Sequence, residues 1–448
     1  MAVDMHRKIE KKSQRELQVS IEELRTLHPV DIAAHLEDLP IDEIRRVLRE
    51  LPNEISAEVI VDFPMDVQVA LFEAMRVTRL SGIVGEMFSD DLADLMVQLS
   101  PERLQSIMKT LEPEQARRIV DLMEYPEDSA GGIMQGEFLA VNQNMTMKEA
   151  TELLRHEEDL TTKGLFYVYV VDDRQRLQGV LRIRDLLFQH PEKTVQEVMV
   201  QEVRAVSVHA DQEEIAIIFR DYGLSSIPVV DDFQRLRGIV TVDDVMHVME
   251  EEATEDMQRM VGVSGQEMID TPWKRSVKNR LPWLCVNLLT AFAAGFVVSL
   301  FEGTITRYAV LAIFLPIIAG LGGNTGTQTL TIMVRSLALG EFNKGMGFSV
   351  LRKQLIVGLV NGLAIGLVVG GVAYFWKGEW ILGMVAFLAM LLNIIIASII
   401  GVLIPLGLKS LKIDPALASG IMLTATTDII GFLVFLGLAV IGMHYFPL

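Results

Sequence analysis

The chain has 448 residues, enough for about three domains of ordinary size, and is 50% hydrophobic while carrying a formal net charge of −19. These properties separate along the chain: residues 281–448 hold eight basic and five acidic side chains, leaving 32 basic and 54 acidic in residues 1–280. An acidic half joined to an apolar, nearly uncharged half excludes a purely soluble enzyme, and a nucleic-acid partner held by basic charge, because acidic surface repels phosphates.

Residues 1–16 are charged with no apolar run behind them, so no cleavable signal peptide is expected and the acidic half is placed in the cytoplasm. From 15 to 125, Leu, Val, Ile and Met recur at helical spacing, broken by LHPVD, DLPID, ELPNE, LSPER and LEPEQ. Proline at or near a first turn, followed by acids, starts a helix. Its recurrence predicts short helices over an acidic domain at 1–130, stacked as an α-solenoid-like array or packed as an irregular bundle.

Composition changes at SAGGIM (129–134), and an internal repeat follows at an offset of 59 residues. VVDDRQRLQGVLRIRDLL (170–187) aligns with VVDDFQRLRGIVTVDDVM (229–246), with nine of eighteen positions identical. Each copy reads as a strand, a DD turn, a second strand and a helix start. The pattern resembles the tandem CBS-domain pair, an α/β regulatory module, with copies at 131–200 and 201–246. In many such pairs a Gly-x-x-Thr/Ser-x-x-Asp run holds an adenine nucleotide. The second copy matches with Gly238, Thr241 and Asp244, whereas the first has Gly179 and Asp185 but Arg182 in place of the hydroxyl. The resemblance thus implies ATP or another adenine nucleotide; a glycine in a turn and an Asp capping the next helix explain the same residues.

The linker at 247–279 is acidic. Helical spacing puts Met246, Met249, Met257 and Met260 near one apolar stripe, and Glu251, Glu252, Glu255 and Asp256 on an anionic face. Like charges at i,i+4 destabilise a helix by a few tenths of a kcal/mol each, so the face calls for a counter-ion unless it is simply solvated. Carboxylates without His or Cys suit Mg²⁺, Ca²⁺ or Mn²⁺. Asp90, Asp91 and Asp94, and Asp211 with Glu213, are the acidic patches that would face it. An ion that binds the packed state better than the splayed one makes a switch.

A bilayer core needs about 20 apolar residues per helix, and five stretches are read as spans, near 281–301, 308–337, 354–376, 380–408 and 415–444, within a membrane domain at 280–448. Cys285, the single cysteine, lies in the first as a small hydrophobe, which excludes disulfides and thiolate zinc sites. Lys274, Arg275, Lys278 and Arg280, then Lys344, Arg352 and Lys353, then Lys409 and Lys412 flank alternate ends, which places the N-terminus inside and the C-terminus outside. Five spans are an odd number for a closed pathway, which favours a homodimer.

Asp428 is the one ionisable residue deep in a predicted span, where a carboxylate marks a functional pathway. Gly420, Thr424, Asp428 and Gly431 share a helix face. The second span carries Pro316 and GLGGNTGTQT, with Asn324, Thr325 and Gln328 as neutral oxygen ligands; such backbone is tolerated against protein or a water-filled cavity. Close helix packing through small residues competes with that reading, and Asn393 is a weaker candidate. One carboxylate per chain suits an ion that keeps its waters, as Mg²⁺ does.

Together the acidic helical N domain, SAGGIM, the CBS repeats, EEEATED, GGNTGTQ and Asp428 resemble the MgtE family of magnesium channels and transporters over nearly the whole chain. The resemblance implies a multidomain α-helical membrane protein: N domain, CBS pair, linker serving as a plug helix and five spans per protomer of a homodimer in the bacterial inner membrane. It implies Mg²⁺ as substrate and regulator, hydrated Mg²⁺ at Asp428, and closure by cytosolic Mg²⁺ bound through Asp211, Glu213, Asp244, Glu252, Glu255, Asp256 and Asp414 with Asp90 or Asp91. His247, Gly223 and Gly420 depart from the family pattern, the first two where acids are expected and the third where a pore residue is polar. The alternatives are a Co²⁺, Mn²⁺ or Ca²⁺ transporter and a membrane-anchored nucleotide sensor. An enzyme is disfavoured, since no second buried acid or nucleophile–base pair accompanies Asp428.

Overall fold

Short helices open the computed structural model, which describes residues 21–156, 167–265, 267–269, 271–342, 345–417 and 419–445; residues 1–16 and Lys344 fall outside them. The chain divides into two units, Met1–Val248 and Met249–Leu448. After α1 (Ile21–Leu24) come α2 (Pro29–Leu36), α3 (Ile41–Glu50), α4 (Asn53–Val61), α5 (Met65–Ala74), α6 (Val77–Val84), α7 (Ser89–Val97), α8 (Pro101–Met108) and α9 (Pro113–Leu122). From α2 to α9 each helix begins 12 residues after the last. Proline stands at the first position of α2, α8 and α9 and at the N-cap of α3, α4 and α5, where its fixed φ suits the turn. Buried Leu36, Leu48, Ile60, Phe72, Val84 and Met96 keep the same 12-residue step. Helices of eight to ten residues bury too little alone, and each packs on the helix two places along: α2 on α4, α4 on α6, α6 on α8, and α3 on α5, α5 on α7, α7 on α9. Two interleaved rows make a solenoid-like array, which decides against the irregular bundle.

The two repeats form equivalent three-stranded sheets. In one, β1 (Ala140–Asn142) pairs parallel with β2 (Tyr167–Val171), which pairs antiparallel with β3 (Leu177–Arg182); in the other, β4 (Val206–Ser207), β5 (Ser226–Val230) and β6 (Leu236–Thr241) repeat the order. The turns match atom for atom: Asp172 Oδ1 accepts from the Arg174 and Arg176 amides, Asp231 Oδ1 from those of Phe233 and Arg235. Gln175 and Gln234, 59 residues apart, both take a left-handed φ near 60°. Helices α10 (Met147–His156), α11 (Ile183–Phe188), α12 (Val195–Val198) and α13 (Gln212–Tyr222) complete the pair. The strands β1 and β4 are too short for a sequence pattern to announce them.

Helix α14 (Val242–Met260) follows β6. Its buried side chains in the first unit are Val245 and Val248, while Met246, Met249 and Met257 are exposed, so the expected methionine stripe is corrected. Only Met260 packs, against Leu330, Val334, Ala416 and Leu423 of the second unit.

The second unit contains α15 (Trp273–Ser299), α16 (Glu302–Arg307), α17 (Leu311–Ala338), α18 (Gly347–Lys377), α19 (Trp380–Ser410) and α20 (Ser419–Tyr445). By length and composition four of these, α15, α18, α19 and α20, are apolar enough to cross a membrane. The fifth expected span, α17, is 28 residues long but falls short in apolarity, because its glycines and polar residues replace aliphatic ones. Close approach explains two of its four glycines. A Cβ at Gly322 would collide with Asn393, and one at Gly326 with Leu423. Fully buried Asn393 donates to the Ile318 carbonyl (2.8 Å), so it ties α19 to α17. Along α18, Gly358, Gly362, Gly366 and Gly370 face α19 at four-residue spacing, and a Cβ at any of them would press on its backbone or side chains.

Candidate ion sites

The first site is built at the start of α7. An acid in the first turn of a helix complements its positive end, and Asp42, Glu54, Asp66, Glu102 and Glu114 fill that role while exposed. Asp90 holds the same place in the repeat, yet is only 8% exposed, and its Oδ1 has no hydrogen-bond partner. The segment after SAGGIM covers it: Ser89 Oγ donates to Glu137 Oε2 (2.8 Å) and accepts from the Gly136 amide (2.9 Å). Burial, then Asp91 and Asp244, push the Asp90 carboxyl well above the usual carboxylate range. Asp91 is pushed up to about 7 by burial first, then by Asp244, Asp94, Asp62 and Glu137. Asp244 is also raised, chiefly by burial, against hydrogen bonds from Thr241. Glu137 and Asp62 also belong here, although no sequence pattern singles them out.

Among the described residues no three His, Cys, Asp or Glu side chains converge as a closed metal cage. The donors are all oxygen, the charges repel, and Asp90 presents a buried unpartnered oxygen. That set fits a hard cation which retains water.

Other sequence candidates serve local structure. Asp211 caps α13, accepting the Glu213 amide (2.8 Å). Thr241 Oγ donates to Asp244 Oδ2 (2.5 Å), which also accepts from Gln135 Nε2 (3.0 Å), and Gly238 lets the Gln135 carbonyl approach β6. Arg182 and Asp185 form the matching cap in the first copy. Gly223 ends α13 with φ 59°, a left-handed cap that explains glycine there. His247 lies close enough to Asp244 to favour its ionised form.

A second acidic group sits at the C-terminal end of α14. Burial, then Asp414 and Glu252, raise Asp256 to about 6; burial likewise raises Glu255, with Glu252 and Asp414 adding to it and Arg259 opposing. Arg259, absent from the sequence-based list, pairs with Glu255 and donates through Nη1 to Asp414 Oδ2 (2.6 Å). Asp414 Oδ1 accepts the Ala416 amide (2.8 Å) just before α20. Gly420 lies where a Cβ would strike the Met260 carbonyl, so here it admits the end of α14. Glu251 lies on the same helix, exposed.

The third site is Asp428. It lines an open cleft of about 390 Å³ with Thr424 and Ala425 on α20 and with Leu284, Asn287, Leu288, Thr290 and Ala291 on α15. Asn324 and Gln328 are exposed one turn apart on α17, outside that cleft; Thr325 Oγ donates to the Leu321 carbonyl, and Pro316 is exposed.

Family models match in the same order as these parts: the MgtE intracellular N domain over residues 27–128, CBS domains over 130–190 and 195–251, and the MgtE divalent cation transporter over 315–438. The chain is 33% identical to the magnesium transporter MgtE of Thermus thermophilus, with 98% of each chain covered. The Bacillus subtilis magnesium transporter MgtE is 31% identical over 93% of this chain and 92% of that one.

The chain belongs to the MgtE family of magnesium transporters.

It is therefore a magnesium-transporting membrane protein, which removes the non-transporting sensor. Among solved structures it is similar to the cytosolic domain of the Mg²⁺ channel MgtE in complex with ATP, at 35% identity and a TM-score of 0.48 over 55% of this chain and 100% of that one.

Proposed function

We propose that the transporter is a passive Mg²⁺ channel, in which hydrated Mg²⁺ passes Asp428 and closes the path when it accumulates in the cytosol. The observation that carries this reading is a single carboxylate on an open cleft of apolar helices, with neutral hydroxyls beside it. A lone carboxylate cannot strip the shell of Mg²⁺, but it attracts the ion through its waters. The membrane potential supplies about 4.6 kcal/mol per divalent ion per 100 mV. Basic residues at the start of α15 and after α19 favour a cytoplasmic N-terminus, an outside C-terminus and a multi-pass place in the bacterial inner membrane. A homodimer would set two Asp428 carboxylates, and the exposed Asn324 and Gln328 faces, around one path.

Closure is assigned to Mg²⁺ at two acidic sites, one in each unit: Asp90, Asp91 and Asp244 with Asp94, and Glu252, Glu255 and Asp256 with Asp414. Asp211 and Glu213 have less support, because Asp211 is committed to a helix cap. An adenine nucleotide at Gly238, Thr241 and Asp244 is a second ligand reading; the hydroxyl and carboxylate sit within bonding distance of one another, where ribose and phosphate would contact both. ATP binding that survived Asp244→Ala would reject it. For transport, Asp428→Asn is expected to lower Mg²⁺ flux into liposomes at least tenfold, and unchanged flux would reject the reading.

A further inference from the structure

The first membrane helix carries polar groups that nothing so far uses. Asn287 and Thr290 lie three residues apart in the most apolar part of α15, on its face toward the Asp428 cleft. An amide facing lipid has its polar groups unsatisfied, so its position on the cleft calls for water or an ion there. We propose that Asn287 and Thr290 are specificity-determining residues of the ion path, accepting hydrogen bonds from the water shell of a divalent cation held at Asp428.

The donor and acceptor roles are what fit that ligand. Waters on a divalent cation are hydrogen-bond donors, so a wall that binds them must present acceptors. Thr290 Oγ donates its hydrogen to the Asn287 carbonyl (2.8 Å), and Thr424 Oγ to the Gly420 carbonyl (2.9 Å). Both hydroxyls thus turn only lone pairs to the cleft. Asn287 adds an amide oxygen, and Asp428 adds the carboxylate. A bare ion would need several oxygens in direct contact; spaced neutral acceptors around one carboxylate suit an ion that keeps its shell. The inference rests on reading Asp428 as the ion site, and α15 thereby joins α20 as a wall of the path.

Two measurements on the full-length protein test it. In a Cys285→Ser background, Asn287→Cys and Thr290→Cys are expected to react with a water-soluble cationic thiol reagent, with millimolar Mg²⁺ slowing the reaction severalfold. Leu289→Cys, 69% exposed but outside the cleft, should stay unreactive. In liposomes, Asn287→Leu with Thr290→Val should raise the half-saturating Mg²⁺ concentration about tenfold, the loss of one or two modest hydrogen bonds. Asn287→Asp should lower it, a reversal that damaged packing would not produce. Asn287→Cys that is unreactive, or equally reactive with and without Mg²⁺, overturns the proposal. Half-saturation unmoved in both Asn287 variants overturns it too. Flux through Asp428→Asn separates the two readings, since its persistence would overturn the ion site itself.

Discussion

Asp90 and Asp42 occupy equivalent places in the solenoid, and the difference between them is what cover does to a carboxylate. Asp42 stays exposed at its helix end, whereas Asp90 is buried beside Asp91 and Asp244. Carboxyls raised in the folded state and ordinary in the unfolded state destabilise as pH rises, because the unfolded chain ionises first. Without divalent ions, stability should therefore fall from about pH 4, the ordinary Asp value, to about pH 7, the value for Asp91. For Asp91 alone the loss over that range should be about 4 kcal/mol, and Mg²⁺ at pH 8 should restore it. Thermal unfolding in chelator at pH 5.5 and pH 8 measures this; equal midpoints would count against the site. Asp90→Asn should flatten the pH dependence and remove the Mg²⁺ effect. Arg259 acts at the other acidic site as a tethered cation. Arg259→Gln should loosen the end of α14 by about 1 kcal/mol in chelator, read as roughly fivefold faster amide exchange over 255–260 and reversed by Mg²⁺. Exchange that did not change would show the pair to be incidental. The Asp90 and Asp91 pair was legible in sequence because two adjacent acids open a helix. Glu137, Asp62 and Arg259 were not, since only the fold brings them to their partners.

At the scale of elements, proline showed where several short helices begin, but their common step of 12 residues lay below the periods usually searched, and Phe72, Val84 and Met96 vary too much in shape to announce it. The CBS copies were fully legible as a repeat because Asp172 and Asp231 hold identical turns. In the membrane half, the glycines of the second span pointed to a pore or to close packing, and those of α18 serve packing. The seam of α18 on α19 shows this best, with four glycines at four-residue spacing. Gly366→Leu should force these helices apart and cost several kcal/mol by overpacking, so that protein extracted in detergent loses its folded fraction. Gly371→Leu, on the same helix but turned away from that seam and open to its surroundings, should be tolerated. Comparable folding yields for both would contradict the packing role. Packing accounts for part of what makes α17 fall short of an ordinary span, since Gly322 and Gly326 receive Asn393 and Leu423, while Asn324 and Gln328 remain exposed.

For the whole molecule, the division of charge describes the division of labour. A surplus of acids lies in residues 1–280, and of the five acids beyond them Asp414 stands before α20 and Asp428 inside it. In the proposed account the first group answers to the concentration of the ion, and the last lets it pass. The direct test is Mg²⁺ uptake by the purified protein in liposomes, with internal Mg²⁺ either chelated or raised to millimolar levels. The account predicts uptake with chelator inside, at least tenfold less with internal Mg²⁺, and at least tenfold less through Asp428→Asn even with chelator inside. Uptake through Asp428→Asn at the wild-type rate would contradict it.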